Sequence, residues 1–192
     1  MKKIAATLTV AVGALLSALP AAAAPETYNI DAGHTFPSFE VSHLGFSIHR
    51  GRFNKTEGKV VLDTAAKTGS VEVTIDANSI DTGGDKLDGH LRNEDFFNVA
   101  KFPTLTFKGS KMKFDGDKPV AIEGDFTMLG VTKPITLAIN NFKCGVHPFN
   151  KKPLCGAEVT GTIKRSEFGM KYGVPGVGDD VKLLIQVEAF KS

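Results

Sequence analysis

Imidazoles, carboxylates and guanidinium groups crowd into one stretch of this chain, DKLDGHLRNED, where Asp88, His90, Arg92, Glu94 and Asp95 follow one another closely. An imidazole beside a carboxylate can move protons. His43 or His90 as base, with Asp88 or Asp95 as the orienting acid, is the pairing an acid–base enzyme would need. The other signatures of catalysis are missing from the sequence, which has no nucleophile elbow, paired catalytic carboxylate motif or phosphate loop. GVPGVG, which includes Val174, neither follows a predicted strand nor opens a helix as a dinucleotide loop does. A metal reading of His34, His43, His49, His90 and His147 fails on spacing, since no two sit at the short helical or strand interval that shared coordination uses. The sequence therefore predicts no metal, no cofactor and no catalytic residues.

The elements that must position these groups are mostly strands. Only the segment from Ser79 to Phe107 carries apolar residues at helical spacing, with Leu87, Leu91, then Phe96 and Phe97 roughly a turn apart. Asp81 or Thr82 can cap it, and Pro103 forbids its continuation. The spacing predicts one short helix over about 84–98, interrupted near Asn93. Elsewhere apolar and polar residues alternate. Phe39, Val41 and His43 oppose Ser38, Glu40 and Ser42, while Val71, Val73, Ile75 and Ala77 oppose Glu72, Thr74 and Asp76. The same alternation marks Val120 to Phe126, Ile135 to Ile139, Ala157 to Ile163 and Val181 to Ala189. Turns are predicted at Thr68-Gly69, Asp115-Gly116 and Leu129-Gly130, a tight bend in RGRFNKTEG, and a β-bulge near Gly109 where the parity of Leu105 and Phe107 gives way to that of Met112 and Phe114. About nine strands with short connections form an antiparallel meander, which must close on itself to hide its single apolar face. The expectation is an all-β barrel of about eight strands with one helical segment. Gly58, Gly124, Gly161 and Ala157 on its inner face either leave room for a guest or relieve crowding in a coiled sheet.

Composition bounds the rest. Residues 1–23 pair Lys2 and Lys3 with a short apolar run and a small-residue site, the pattern of a secretory signal peptide cut after Ala23; 24–192 is then a single barrel domain. Removing those two lysines from the 23 basic residues brings them level with the 21 acidic ones. A neutral protein lacks the basic footprint that nucleic acid or an anionic membrane surface needs as main partner. No second long apolar segment follows, so no membrane span is expected. Cys144 and Cys155 flank a loop of Gly, Pro and Lys residues, most simply a disulfide in an exported protein.

The chain resembles the YceI-like family of periplasmic, lipocalin-like, polyisoprenoid-binding proteins. The resemblance rests on His34 with FEVSHLGFSIHRGRF, on DKLDGHLRNEDFFNVAKFPTLTF, on GDFTMLGVTKPITL and on RSEFGM, in order along the chain. It implies an extended eight-stranded antiparallel barrel carrying a helix, an isoprenoid amphiphile in an apolar tunnel and often a homodimer. A polyisoprenoid offers almost no hydrogen bonds, so affinity must come from burying apolar area. Phe, present 14 times beside two Tyr and no Trp, supplies area without an unsatisfied polar atom. The expected tunnel lining is Phe39, Val41, Phe46, Leu87, Leu91, Phe96, Phe97, Leu105, Phe107, Phe126 and Leu137. The head group of a polyprenyl or quinone-like lipid would meet His34, His43, Arg50, Asp88, His90 and Arg92 at the mouth. Arg50, Asp88 and Arg92 could equally form salt bridges that pin the helix.

Overall fold

Period-two alternation carries almost the whole of residues 24–192, which the computed structural model describes; the expected signal peptide lies outside the described residues. Eleven strand segments form one sheet: β1 (Glu26–Ile30), β2 (Phe36–His43), β3 (Ser47–Phe53), β4 (Thr56–Asp63), β5 (Thr68–Asp76), β6 (Ile80–Asp81), β7 (Thr104–Asp115), β8 (Lys118–Met128), β9 (Val131–Val146), β10 (Pro153–Lys164) and β11 (Val177–Lys191). Each pairs antiparallel with its neighbours in the order β1-β4-β5-β7-β8-β9-β10-β11, and β11 returns to β1, closing an eight-stranded barrel. β2 continues β1 along the same edge of β11, β3 continues into β4, and the two-residue β6 extends β5. One end of the wall, here the upper end, is therefore longer than a simple eight-stranded barrel. Closure leaves no long sheet edge in the lower half.

The sole α-helix among the described residues, α1 (Asp85–Arg92), lies across the upper end. It is shorter than the predicted 84–98. Asn93 is its C-cap in extended conformation, and the following residues fold into tight turns, including Phe97 N–H to the Leu91 carbonyl (2.9 Å) and Phe102 N–H to the Asn98 carbonyl (2.9 Å). Gly84, not Asp81 or Thr82, occupies the N-cap, and no side chain caps it. The expected bulge is present, at Ser110 between Gly109 and Lys111. A second bulge between Lys113 and Phe114 turns the parity of β8, so Pro119 is buried and Val120, expected inward, faces out.

The turn before β5 spans 64–67, with Lys67 at φ 53°, not Thr68-Gly69. Gly69 lies in the strand, paired with Leu62, where a Cβ would stand 2.9 Å from the Val61 carbonyl oxygen, so the close approach and not a turn requires glycine. Inward glycines do not hollow the barrel either. A Cβ on Gly161 would meet Leu137 at 2.7 Å, and one on Gly58 the Glu72 carbonyl oxygen at 2.1 Å, so these glycines admit close neighbours. At the lower end Cys144 and Cys155 are register partners in β9 and β10 and form the expected disulfide.

Candidate functional site

Because β-strand side chains alternate, one residue in two along every strand points into the barrel. Those residues do not fill it. Two apolar cavities remain, of about 150 Å³ toward the lower end and about 270 Å³ beneath the helix. Pro37, Ile75, Phe126, Leu183 and Ile185 border both, forming a waist between them. The lower cavity is walled by aliphatic and aromatic groups such as Val60, Leu62, Phe107, Ile122, Leu137 and Val187. The upper one takes Phe39, Val41 and Phe53 from the wall and Leu87, Leu91, Phe96 and Phe97 from α1 and the turns after it.

Of the expected lining residues, all but one border these cavities. The exception is Phe46. It sits at the tip of the β2–β3 hairpin, 91% exposed, because the break at Leu44-Gly45 ends the strand and its alternation before Phe46 is reached. Several walls lie outside the expected set. Tyr28, Met112, Pro119, Met128, Ile163, Met170 and Tyr172 all face a cavity. The alternation of Tyr28 with Ile30 could have revealed the first; Met170 and Tyr172 lie in irregular chain with no period to read.

The polar residues divide. His43, His49, His90 and Tyr172 border the upper cavity, and Tyr172 is half exposed, which places the mouth between the β2–β3 hairpin, the 169–176 segment and α1. The His43 and His49 rings stack at 4.1 Å; His90, Phe96 and Tyr172 form an edge-to-face group with centroids 5.0 to 5.5 Å apart. His90 Nε2 lies 3.2 Å from an Asp95 oxygen, the one imidazole–carboxylate contact at the mouth among the described residues.

Asp88 is not at the mouth. It is buried, accepting from Thr82 N–H (2.8 Å) and Thr82 Oγ1 (2.6 Å). Arg92 donates to the carbonyls of Asn78 (3.0 Å) and Ile80 (2.8 Å). These two residues fasten α1 to the wall, but through backbone and hydroxyl groups and not the expected salt bridges. Arg50 borders the cavity, yet the alternation that turns His49 inward turns Arg50 outward, where its Nε donates to Glu40 at 2.7 Å.

His34 stands away from the mouth, in the kink between β1 and β2. Its Nδ1 is 2.8 Å from an Asp31 carboxylate oxygen. Hydrogen bonding to Asp31 raises the imidazole pKa, and the same bond lowers that of the carboxyl. Asp31, His34 and Glu188 each bring a ligand atom within 4.8 Å of the others, a proximity across the β1–β11 seam that sequence spacing could not show.

The most thoroughly buried cation at the site is Arg165, in the RSEFGM segment. Arg165 is 3% exposed, and its guanidinium donates to the carbonyls of Gly178, Met170, Tyr172 and Val177 at 2.8 to 3.2 Å. Burial lowers its pKa, but those four carbonyls solvate the charge. Arg165 thus folds the 169–177 segment into one side of the mouth. No helix among the described residues is long and apolar enough to cross a membrane.

A family model described as YceI-like domain matches residues 28–189. Protein YceI of Escherichia coli O6:H1 is 38% identical over 189 residues, covering 98% of this chain and 97% of the relative. The crystal structure of Campylobacter jejuni YCEI protein superposes with a TM-score of 0.66 at 30% identity, over 79% of this chain and 90% of that one. The structure of a polyisoprenoid binding domain from Saccharophagus degradans shares the fold, with a TM-score of 0.63 at 18% identity over 86% and 98% of the two chains.

Proposed function

We propose that this chain, which belongs to the YceI-like family, is a non-catalytic carrier that holds the tail of an isoprenoid lipid in its two cavities and works in the periplasm. The observation that carries the reading is the pair of unfilled, almost wholly apolar cavities meeting at one waist. Such space is stable when dry and favours a guest whose affinity comes from area and not from hydrogen bonds. The Saccharophagus degradans domain of the same fold is named for polyisoprenoid binding, and the disulfide is compatible with an exported protein.

Volume sets the scale of the tail. An engineered apolar cavity of about 150 Å³ accommodates benzene, a group close in size to one isoprene unit. The two cavities together hold roughly three times that volume, which corresponds to about three units and a farnesyl-like length. A longer tail would leave its excess at the mouth. The head group would then meet the ring edges of His43, His49, His90 and Tyr172 in place of Arg50, Asp88 or Arg92.

A second reading, an enzyme acting on the same lipid, draws on the His90–Asp95 contact. Delipidated protein loaded with farnesol and then extracted for mass spectrometry separates the two. A carrier returns the added alcohol unchanged at about one per chain. Conversion to a new species that stops in His90→Gln establishes catalysis, and failure to retain any prenol defeats both readings.

A further inference from the structure

We propose that the β2–β3 hairpin tip and the 172–174 segment form a docking rim that inserts into the surface of a lipid bilayer and brings the cavity mouth against it. Half of the exposed large apolar side chains among the described residues gather here: Leu44 (56% exposed), Phe46 (91%), Ile48 (46%), Tyr172 (51%) and Val174 (36%). The Leu44 N–H donates to the Gly176 carbonyl at 2.7 Å, tying the hairpin to the second segment, and Tyr172 also borders the upper cavity. The same feature that removes Phe46 from the tunnel makes it the most exposed large apolar residue described.

Two observations choose the bilayer as the occupant. The first is area. With an aromatic side chain offering roughly 200 Å², the five residues present on the order of 500 Å², short of the roughly 800 Å² per partner that a stable protein interface buries. Such a patch suits shallow insertion among lipid head groups, where a few apolar side chains suffice. The second is shape and continuity. Phe46 stands on a three-residue turn between paired strands, since His43 and Ser47 are register partners, so it projects where a flat partner would leave it unfilled. The apolar surface then runs on past Tyr172 into the cavity. Exposed Lys171, beside Tyr172, adds a cation at head-group height. The choice of a bilayer rests on the lipid-carrier reading, because a water-insoluble guest has to be collected from a membrane.

The chain has no tryptophan, so Phe46→Trp supplies a single indole reporter at the tip. Delipidated Phe46→Trp protein is mixed with vesicles of phosphatidylethanolamine and phosphatidylglycerol. The emission should shift to the blue and be quenched by bromine-labelled acyl chains. In flotation with the same vesicles, Leu44→Asn/Phe46→Ser should bind more than about tenfold more weakly than the natural sequence. Asn tolerates the positive φ of Leu44, so the turn is kept. Farnesol supplied in solution should load equally into both proteins. Unshifted emission together with equal flotation overturns the rim. So does a homodimer that the double substitution dissolves without any vesicle binding, which would give the patch to a second copy. Vesicle binding by protein that takes up no farnesol would leave the rim standing and remove the carrier reading instead.

Discussion

Replacing Phe126 with alanine should lengthen the lipid tail that the barrel accepts while lowering its stability. Phe126 is 7% exposed, borders both cavities and meets the Phe168 ring edge-on with centroids 5.4 Å apart. Truncating a buried Phe costs about 3 to 5 kcal/mol. The lower figure applies here, because the side of the ring that faces open volume has few packing contacts to lose. For a barrel of this size, about 3 kcal/mol corresponds to a fall in Tm of roughly 6–12 °C. The substitution also removes a ring of benzene size from the waist and opens room for one more isoprene unit. Burying even part of such a unit, at about 0.8 kcal/mol per methylene, should raise the affinity for geranylgeraniol relative to farnesol by at least about fivefold. Differential scanning fluorimetry reads the first effect, and competition against a fluorescent prenyl analogue reads the second. If Tm falls while the ratio of the two affinities stays put, the waist is not on the path of the tail.

Three further outcomes test the supports of the site. Asp88→Ala strands the Thr82 N–H and hydroxyl it now accepts from, and should loosen α1 by about 2–4 kcal/mol; hydrogen exchange of residues 85–92 should quicken accordingly, and less so in Asp88→Asn. Serine at Cys144 with alanine at Cys155, whose buried side chain borders the lower cavity, should lower Tm by roughly 4–16 °C, from about 2–4 kcal/mol of lost loop constraint, with lipid loading unchanged because that wall stays apolar. The Asp31–His34 pair predicts a pH window. His34 has its pKa raised on folding, so its contribution is full below the ordinary imidazole value and fades as pH rises through the folded one. Asp31 has its pKa lowered, so its contribution fades as pH falls below the ordinary carboxylate range. The Tm difference between the natural sequence and His34→Gln should therefore be largest in mildly acidic buffer and shrink in alkaline buffer. A difference that grows with pH would show that the two groups are not coupled as the geometry indicates.

Periodicity made the barrel legible because an inward residue and an outward one differ in hydropathy at every step of a strand. It failed where the step itself changes. Val120 faces out because a bulge, whose extra residue has no signature in the sequence, shifts the alternation, and Gly69 reads as a turn because glycine serves both turns and close backbone approaches. Among the lining residues, Phe46 was lost because alternation carries no meaning across a hairpin tip. Polar partners were harder still. Asp88 and Arg92 were recognised as belonging to the helix and its junction, but whether each faces ligand, backbone or solvent depends on contacts such as those with Thr82 and Ile80 that only folding creates. Arg165 shows the same limit. A guanidinium whose partners are four backbone carbonyls leaves no complementary residue in the sequence to point to it.

The central claim is that the barrel keeps its apolar space for a lipid and not for its own side chains. Native mass spectrometry of the protein isolated without detergent from its own host tests this most directly. A single added mass per chain, released on denaturation and identified as an isoprenoid, is the predicted result. Protein that arrives at its bare mass, and that stays bare after equilibration with farnesol, would contradict the account.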